Sequence, residues 1–147
     1  GFVDIPAGLP MIVACSGAPG DTLEAVNRLA RLRDDPRGGQ TLERLTAVAD
    51  NLALRGASAL RDGAWDAAGD LMNENHYLLS ALDLSTEHID ELRRAAVLAG
   101  AWGAKLTGAG LGGSLVALAP PALHEIVARE LRIAGATAVF LQGSQGR

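Results

Sequence analysis

The chain has 147 residues, enough for one domain of ordinary size. Hydrophobic residues make up 48% of it and charged residues 20%, a composition that supports a packed core and excludes intrinsic disorder. The formal net charge is -4 and no basic stripe is visible, so we predict that the chain does not bind nucleic acid.

Cysteine content and hydropathy narrow the class of protein further. Cys15 is the only cysteine, which excludes a disulfide within the chain. No apolar run approaches membrane-spanning length, and the first residues lack the basic start of a signal peptide. We therefore predict a cytoplasmic protein that does not bind membranes.

The first half of the chain predicts one strand followed by helices. Residues 9–15 form a short apolar run bounded by glycine and proline, which indicates a buried strand. Asp21, with Glu24 three residues later, is typical of a capping box and predicts a helix start. That helix should end at 34–36 and be followed by a loop over 37–39. Apolar residues at helical spacing then predict two more helices, over about 41–61 and 65–82.

The second half of the chain predicts a fourth helix and three strands. Ser85 has the character of an N-cap and Gly100 that of a helix end. Strands are expected over 103–107, 114–119 and 136–141, with a helix over about 122–133 between the last two.

This order of elements predicts an α+β domain over residues 1–147. Strand, helices, strand, strand, helix, strand is the split β-α-β pattern of ferredoxin-like folds, with the middle helices as an insertion. Two right-handed crossovers would place the helices on one face of the sheet. An all-helical bundle is the main competitor, but it leaves the glycine-rich segment and the terminal strand unexplained.

The glycine-rich segment over 105–114 has two interpretations. Glycines at this density let successive backbone N–H groups form a concavity that binds an anion. The same glycines are normal in a tight hairpin between two strands, and spacing alone favours the hairpin. The segment lacks the Gly-Lys-Ser/Thr ending of a Walker A loop and the long helix of a Rossmann fingerprint.

Three segments in order decide between these interpretations. Lys-Leu-Thr-Gly-Ala-Gly-Leu-Gly-Gly-Ser over 105–114 resembles the third signature motif of the GHMP kinase superfamily. Leu-Met-Asn-Glu-Asn-His-Tyr-Leu-Leu over 71–79 is similar to that family's Met-x-x-Asn-His/Gln-x-Leu-Leu helix. Ser-Gly-Ala-Pro-Gly-Asp-Thr over 16–22 resembles its Thr/Ser-Gly-x-x-Gly-Ser-Thr turn. The likeness is to the C-terminal domain and is nearest to the mevalonate kinase branch. Leu111, Ser114 and Asp21 depart from that branch, which has Gly, Cys and Ser there.

The resemblance implies half of an ATP-dependent enzyme that phosphorylates a small alcohol, mevalonate in the nearest branch. In such enzymes the N-terminal domain carries the phosphate loop, the acidic base and the Mg²⁺ ligands. None of these motifs is found in this sequence. We therefore expect the N-terminal domain to be a partner outside residues 1–147. We also expect no catalytic or metal-binding residue here, and no activity of the chain alone; the full enzyme could form a homodimer.

The resemblance also implies two sets of site residues. For the ATP phosphates they are Thr107, Gly108, Ala109, Gly110, Gly112 and Gly113, and for the alcohol substrate Ser16, Gly17, Thr22, Asn75 and His76. Structural roles compete for several of them. Ser16 and Thr22 could cap the following helix, and His76 could be a packed core residue. At Gly110, we expect an added side chain to impair phosphate binding more than stability.

Other functions stay open at this point. Another GHMP kinase, acting on phosphomevalonate or a different small alcohol, shares parts of the pattern. A stand-alone ferredoxin-like module that binds a metabolite is a second alternative, and a structural fragment without any ligand is a third.

Overall fold

A computed structural model of the protein describes residues 8–141. This part of the chain forms four strands and five α-helices, in the order β1 Met11–Cys15, α1 Thr22–Asp34, α2 Pro36–Arg61, α3 Trp65–Ala81, α4 Glu87–Leu98, β2 Gly103–Thr107, β3 Ser114–Leu118, α5 His124–Ile133 and β4 Ala138–Leu141. A short 3-10 turn over Pro121–Leu123 precedes α5. None of the helices within 8–141 is long and apolar enough to cross a membrane.

The strands form one antiparallel sheet in the order β2-β3-β1-β4. In the register of the central pair, Ile12 lies opposite Ala117 and Ala14 opposite Leu115. This strand order, with helices between β1 and β2 and between β3 and β4, is the split β-α-β arrangement. The predicted ferredoxin-like fold with inserted helices is confirmed.

The main core lies between one face of the sheet and two helices. Side chains alternate across each strand, so Ile12 and Leu115 point to the same face and are fully buried there. Ile89 and Leu92 of α4 and Leu131 of α5 are also fully buried and belong to the same cluster. These two helices therefore cover one face of the sheet, as the sequence predicts.

A second cluster lies at the other face of the sheet, where the inserted helices pack. Met11 and Leu118, which alternate opposite to the main core, pack with α2 and α3 through Leu52 and Leu71. The rings of Trp65 and Trp102 stack with their centroids 6.4 Å apart in the same region. The inserted helices thus add a layer at one end of the opposite face, because β1 and β3 present apolar residues on both sides.

Helix α3 lies along the free edge of β2. The side-chain oxygen of Asn73 accepts a hydrogen bond from the Ala104 N–H at 3.1 Å, and Nδ1 of His76 accepts one from the Leu106 N–H at 3.0 Å. Unpaired edge amides are a liability in a sheet, and here two side chains of one helix face replace the missing strand. Helix and strand approach this closely because Gly69 faces Gly103.

Three local predictions are wrong, each for a local reason. Residues 37–39 form the first turn of α2, because Asp35 caps that helix by accepting from the Gly38 N–H at 2.6 Å and Pro36 suits its first position. The N-cap of α4 is Thr86, which bonds the Ile89 N–H at 3.2 Å, so Ser85 is not the cap. Strand β4 begins at Ala138 and not at position 136.

Candidate functional site

The glycine-rich loop between β2 and β3 faces the start of helix α1 across a cleft of about 400 Å³. The cleft is lined by Gly20, Thr22, Thr107, Gly108, Ala109, Gly110, Gly112, Gly113 and Ser114. All six residues predicted to contact the ATP phosphates lie here, together with Thr22 from the predicted substrate set. Their role in ligand binding stays a prediction.

Main-chain hydrogen bonds hold the two walls of the cleft together. The Asp21 N–H donates to the Gly110 carbonyl at 3.1 Å, and the Gly113 N–H donates to the Ala18 carbonyl at 2.8 Å. The hydroxyl of Ser16 donates to the Gly113 carbonyl at 2.7 Å. These hydrogen bonds therefore fix the loop to the turn before α1.

At two positions of the glycine-rich loop, close packing against neighbouring backbone requires glycine. Gly112 has φ of +129°, and a Cβ there would lie 2.5 Å from the Pro19 carbonyl oxygen. Gly110 has φ of +100°, and its Cβ would lie 2.5 Å from the Leu84 carbonyl oxygen. A side chain at Gly110 would therefore disrupt the fold directly. The Cβ would face Leu84, so the contact that we expected to obstruct a phosphate would be made with protein backbone. The ranking of lost phosphate binding against lost stability at Gly110 stays a prediction.

The open wall of the cleft is different. Gly108 has φ of +89°, and no atom lies within 4 Å of the place a Cβ would take there. The N–H groups of Gly108, Ala109 and Gly112 donate to no protein group among residues 8–141. Free amides on a glycine-rich turn, next to a helix N-terminus, favour an anionic group. The cleft can hold a phosphate without a basic side chain.

Leu111 is the departure that the family resemblance singles out. It adopts φ of +59°, a left-handed conformation that a leucine rarely takes. Its N–H donates to the Leu84 carbonyl at 2.8 Å, and its side chain does not line the cleft. Leucine at this position therefore does not narrow the approach to the glycine wall.

The start of α1 is capped by a residue other than the two candidates. Asp21 accepts from the Glu24 N–H at 2.9 Å, so neither Ser16 nor Thr22 is the cap. Ser16 is buried and braces the loop. Gly17, at φ of +87°, lies against Thr137, since a Cβ added to it would be 2.6 Å from the Thr137 methyl carbon. Gly17 therefore lies outside the cleft.

Asn75 and His76 lie elsewhere, on α3. Asn75 lines a pocket between α2 and α3. His76 is 2% exposed, with Nδ1 bonded to the Leu106 N–H and Nε2 at 2.8 Å from Asp90 Oδ1. A substrate that bonded the imidazole would have to displace one of these partners. The structure does not bring these two residues together with the cleft.

Sequence reasoning missed two residues of the cleft wall. Gly20 and Ser114 line the cleft but were not assigned to it. Both stand inside the motifs that carry the resemblance, Gly20 just before the cap of α1 and Ser114 at the first position of β3. Their position at the ends of the two facing segments was the available signal.

The cleft offers no set of metal ligands. Its polar lining consists of backbone amides and the hydroxyls of Thr22, Thr107 and Ser114, without a carboxylate. Within residues 8–141, no three His, Cys, Asp or Glu side chains come close enough to hold a metal ion. The donors suit phosphate oxygens and do not suit Mg²⁺, which prefers carboxylate ligands.

Several known proteins are similar to this chain in sequence. A mevalonate kinase of Thermococcus gammatolerans is 37% identical over 142 residues, covering 93% of this chain and 42% of that protein. A mevalonate kinase of Pyrococcus horikoshii is 42% identical over 130 residues, covering 86% of this chain and 38% of its own length. Over 85 residues, 57% of this chain and 23% of that protein, a galactokinase of Mycobacterium bovis is 41% identical. The chain thus spans about two fifths of the mevalonate kinases it matches.

A structural superposition and a match to a protein family give the same assignment as the sequence relatives. The crystal structure of L. major mevalonate kinase in complex with R-mevalonate superimposes with a TM-score of 0.86 at 25% identity, covering 95% of this chain and 43% of that one. Residues 57–137 match the family described as GHMP kinases C terminal. This match extends over more than half of the chain, so the chain belongs to the GHMP kinase family as a C-terminal domain.

Proposed function

We propose that this chain is the C-terminal part of an ATP-dependent kinase whose alcohol substrate is mevalonate, with 5-phosphomevalonate and ADP as products. The observation that carries the proposal is the cleft between the glycine-rich loop and α1, with its free amides and its motif of the mevalonate kinase type. The relatives named mevalonate kinase support the choice of substrate.

In this proposal the cleft positions phosphate and excludes water. Phosphoryl transfer depends chiefly on positioning and on neutralising charge on the transferred group. The amides of Gly108, Ala109 and Gly112 would donate to phosphate oxygens, and the Thr107 and Ser114 hydroxyls would add bonds at the rim. ATP fits these donors. Mg²⁺ would neutralise the phosphates, and its ligands, like the base, belong to the N-terminal domain that we propose as a partner.

Exposed apolar residues near the cleft support such a partner. Leu23 and Val26 lie three positions apart on α1, so they share a face, and they are 72% and 57% exposed. A monomeric protein rarely leaves large aliphatic side chains exposed together beside a functional cleft. A second domain seated on α1 would cover them and close the cleft from the side opposite the glycine-rich loop.

The deciding experiment assays ADP release with mevalonate. We expect no turnover by residues 1–147 alone, since neither a base nor Mg²⁺ ligands line the cleft. Turnover should appear when a polypeptide carrying the N-terminal domain of a GHMP kinase relative is supplied. Galactose and phosphomevalonate serve as competing substrates. Turnover by the chain alone, or preference of the assembled enzyme for a competing substrate, would contradict the proposal.

A substitution in the cleft tests the phosphate role separately. Ala109→Leu adds bulk to the open wall at an exposed position, so we expect the affinity of the assembled enzyme for ATP to fall at least about tenfold, on the order of 1.4 kcal/mol. The melting temperature should stay within a degree or two, because an exposed substitution disturbs little packing. The matched control is Ala67→Leu on the exposed side of α3. Equal ATP affinities for the two variants would remove the cleft from the nucleotide site.

A further inference from the structure

A second pocket lies between α2 and α3, away from the glycine-rich cleft. It has a volume of about 230 Å³ and is walled mainly by apolar residues, among them Leu52, Leu60, Leu71 and Met72. None of its lining residues also lines the cleft. The volume equals roughly seven or eight water molecules at their liquid volume, which is room for a short aliphatic chain.

Lys105 is the one charged residue that lines this pocket. It is the only lysine among the 13 lysine and arginine residues of the chain. Its ammonium group has no carboxylate or hydrogen-bond acceptor among residues 8–141, and the Asn75 amide beside it in the pocket lining has no partner there either. Burial lowers the pKa of Lys105, as expected of a partly desolvated cation without a counter-charge.

A glycine opens the wall of the pocket without a packing reason. Gly56 lies inside α2, toward its C-terminal end, where glycine weakens a helix, and no atom lies within 4 Å of the place its Cβ would take. Gly69 of α3 provides the contrast, because its Cβ would overlap Trp102. The space around Gly56 would accommodate a side chain. The absence of a side chain at Gly56 keeps the pocket open.

We infer that the pocket between α2 and α3 binds a small molecule with a short apolar body and an anionic head, a carboxylate or a phosphate. The apolar body fills the space beside Gly56 and Leu71, where its burial drives binding. The head pairs with the Lys105 ammonium and accepts from the Asn75 amide. Charge complementarity selects this occupant, because an apolar ligand alone would leave the half-buried cation unpaired.

The single lysine makes the test specific. Reductive methylation with ¹³C-formaldehyde labels only Lys105 and the N-terminal amine, and it keeps both charges. Hexanoate and hexyl phosphate should shift the Lys105 methyl signal in a saturable way and leave the N-terminal signal in place. Hexanol tests the apolar body without a charge, and inorganic phosphate tests the charge alone. Both should bind at least about tenfold more weakly than the better of the two amphipathic anions.

Variants measured by calorimetry separate the two parts of the site. Lys105→Met keeps the length of the side chain and removes its charge, so hexanoate affinity should fall about tenfold or more while hexanol affinity is unchanged. Gly56→Leu fills the pocket and should weaken every probe that carries a hexyl chain. Arg55→Met, an exposed change on the same helix, should alter nothing. A cooperative thermal unfolding transition, followed by circular dichroism, shows for each variant that the fold is retained.

Several results would overturn the inference. Equal affinity for hexanol and hexanoate would reduce the site to an apolar groove, and binding that survives Gly56→Leu would place the probes elsewhere. If hexanoate binds residues 1–147 but not the chain assembled with an N-terminal domain, Lys105 pairs with a group of that domain and the small-molecule site is excluded.

Discussion

Gly103→Ala should destabilise the chain by about 3 kcal/mol or more, one of the largest effects that a single methyl group can have here. A Cβ at Gly103 would overlap the backbone of Gly69, so α3 could not stay against the edge of β2. Backbone cannot rotate away as a side chain can, and separating the two elements would also stretch the hydrogen bonds that Asn73 and His76 make to β2. Urea unfolding at neutral pH measures the change.

Gly56→Ala is the matched control, since it adds the same methyl group to a helix with open space. There we expect a gain of about 0.5–1 kcal/mol, the usual advantage of alanine over glycine inside a helix. The two variants should therefore move stability in opposite directions. A mild effect of Gly103→Ala, under about 1 kcal/mol, would show that α3 and β2 are not packed backbone against backbone.

Residues near one another in sequence made most elements predictable. The strand before Ser16, the capping signal at Asp21 and the glycine at position 100 fixed β1, α1 and the end of α4 closely. The error at 37–39 has the same local origin, because two adjacent glycines suggest a loop. A tertiary contact decides otherwise. The α1–α2 joint is so tight that a Cβ at Gly38 would lie 2.5 Å from the Leu32 carbonyl oxygen, so glycine is needed inside the helix.

In the candidate site, too, features set by neighbouring residues in sequence could be predicted, and features set by tertiary contacts could not. The residues that form the glycine-rich wall are contiguous, so a motif could identify them, and the structure places them in one cleft. The direction in which a side chain would point at each glycine is a tertiary property, so the sequence could not show that a Cβ at Gly110 would meet Leu84. His76 illustrates a motif residue whose position follows from the sheet edge: no feature of residues 71–79 indicates that an amide of β2 needs an acceptor.

The environment of His76 leads to a pH dependence of stability. The Leu106 N–H donates to Nδ1, so that nitrogen must keep its lone pair, and the Nε2 proton is donated to Asp90. Protonating Nδ1 would place its N–H against the Leu106 N–H in a buried site, with no acceptor between the two donors. Burial lowers the pKa of His76 below its ordinary value of about 6.5, against the opposing hydrogen bond and charge of Asp90; the charges of Arg93 and Lys105 lower it further.

Stability should therefore fall as the pH is lowered from 7.5 to 5. Below about pH 6.5 the unfolded chain takes up a proton on His76 that the folded chain does not, so unfolding is favoured there. The stabilisation is complete above that pH and is lost as the pH falls toward the pKa of the folded state. Urea unfolding at half-unit pH steps gives the slope.

Two variants test whether His76 is the residue behind this pH dependence. His76→Asn keeps an oxygen at the position of Nδ1 that can accept from the Leu106 N–H, and it removes the titration, so its stability should depend less on pH between 7.5 and 5 than that of the parent chain. His76→Leu leaves that N–H buried without an acceptor and should lose about 1–3 kcal/mol at neutral pH. Parallel pH profiles for the parent and His76→Asn would mean that His76 accepts its proton without loss, and that the edge of β2 does not depend on the neutral ring.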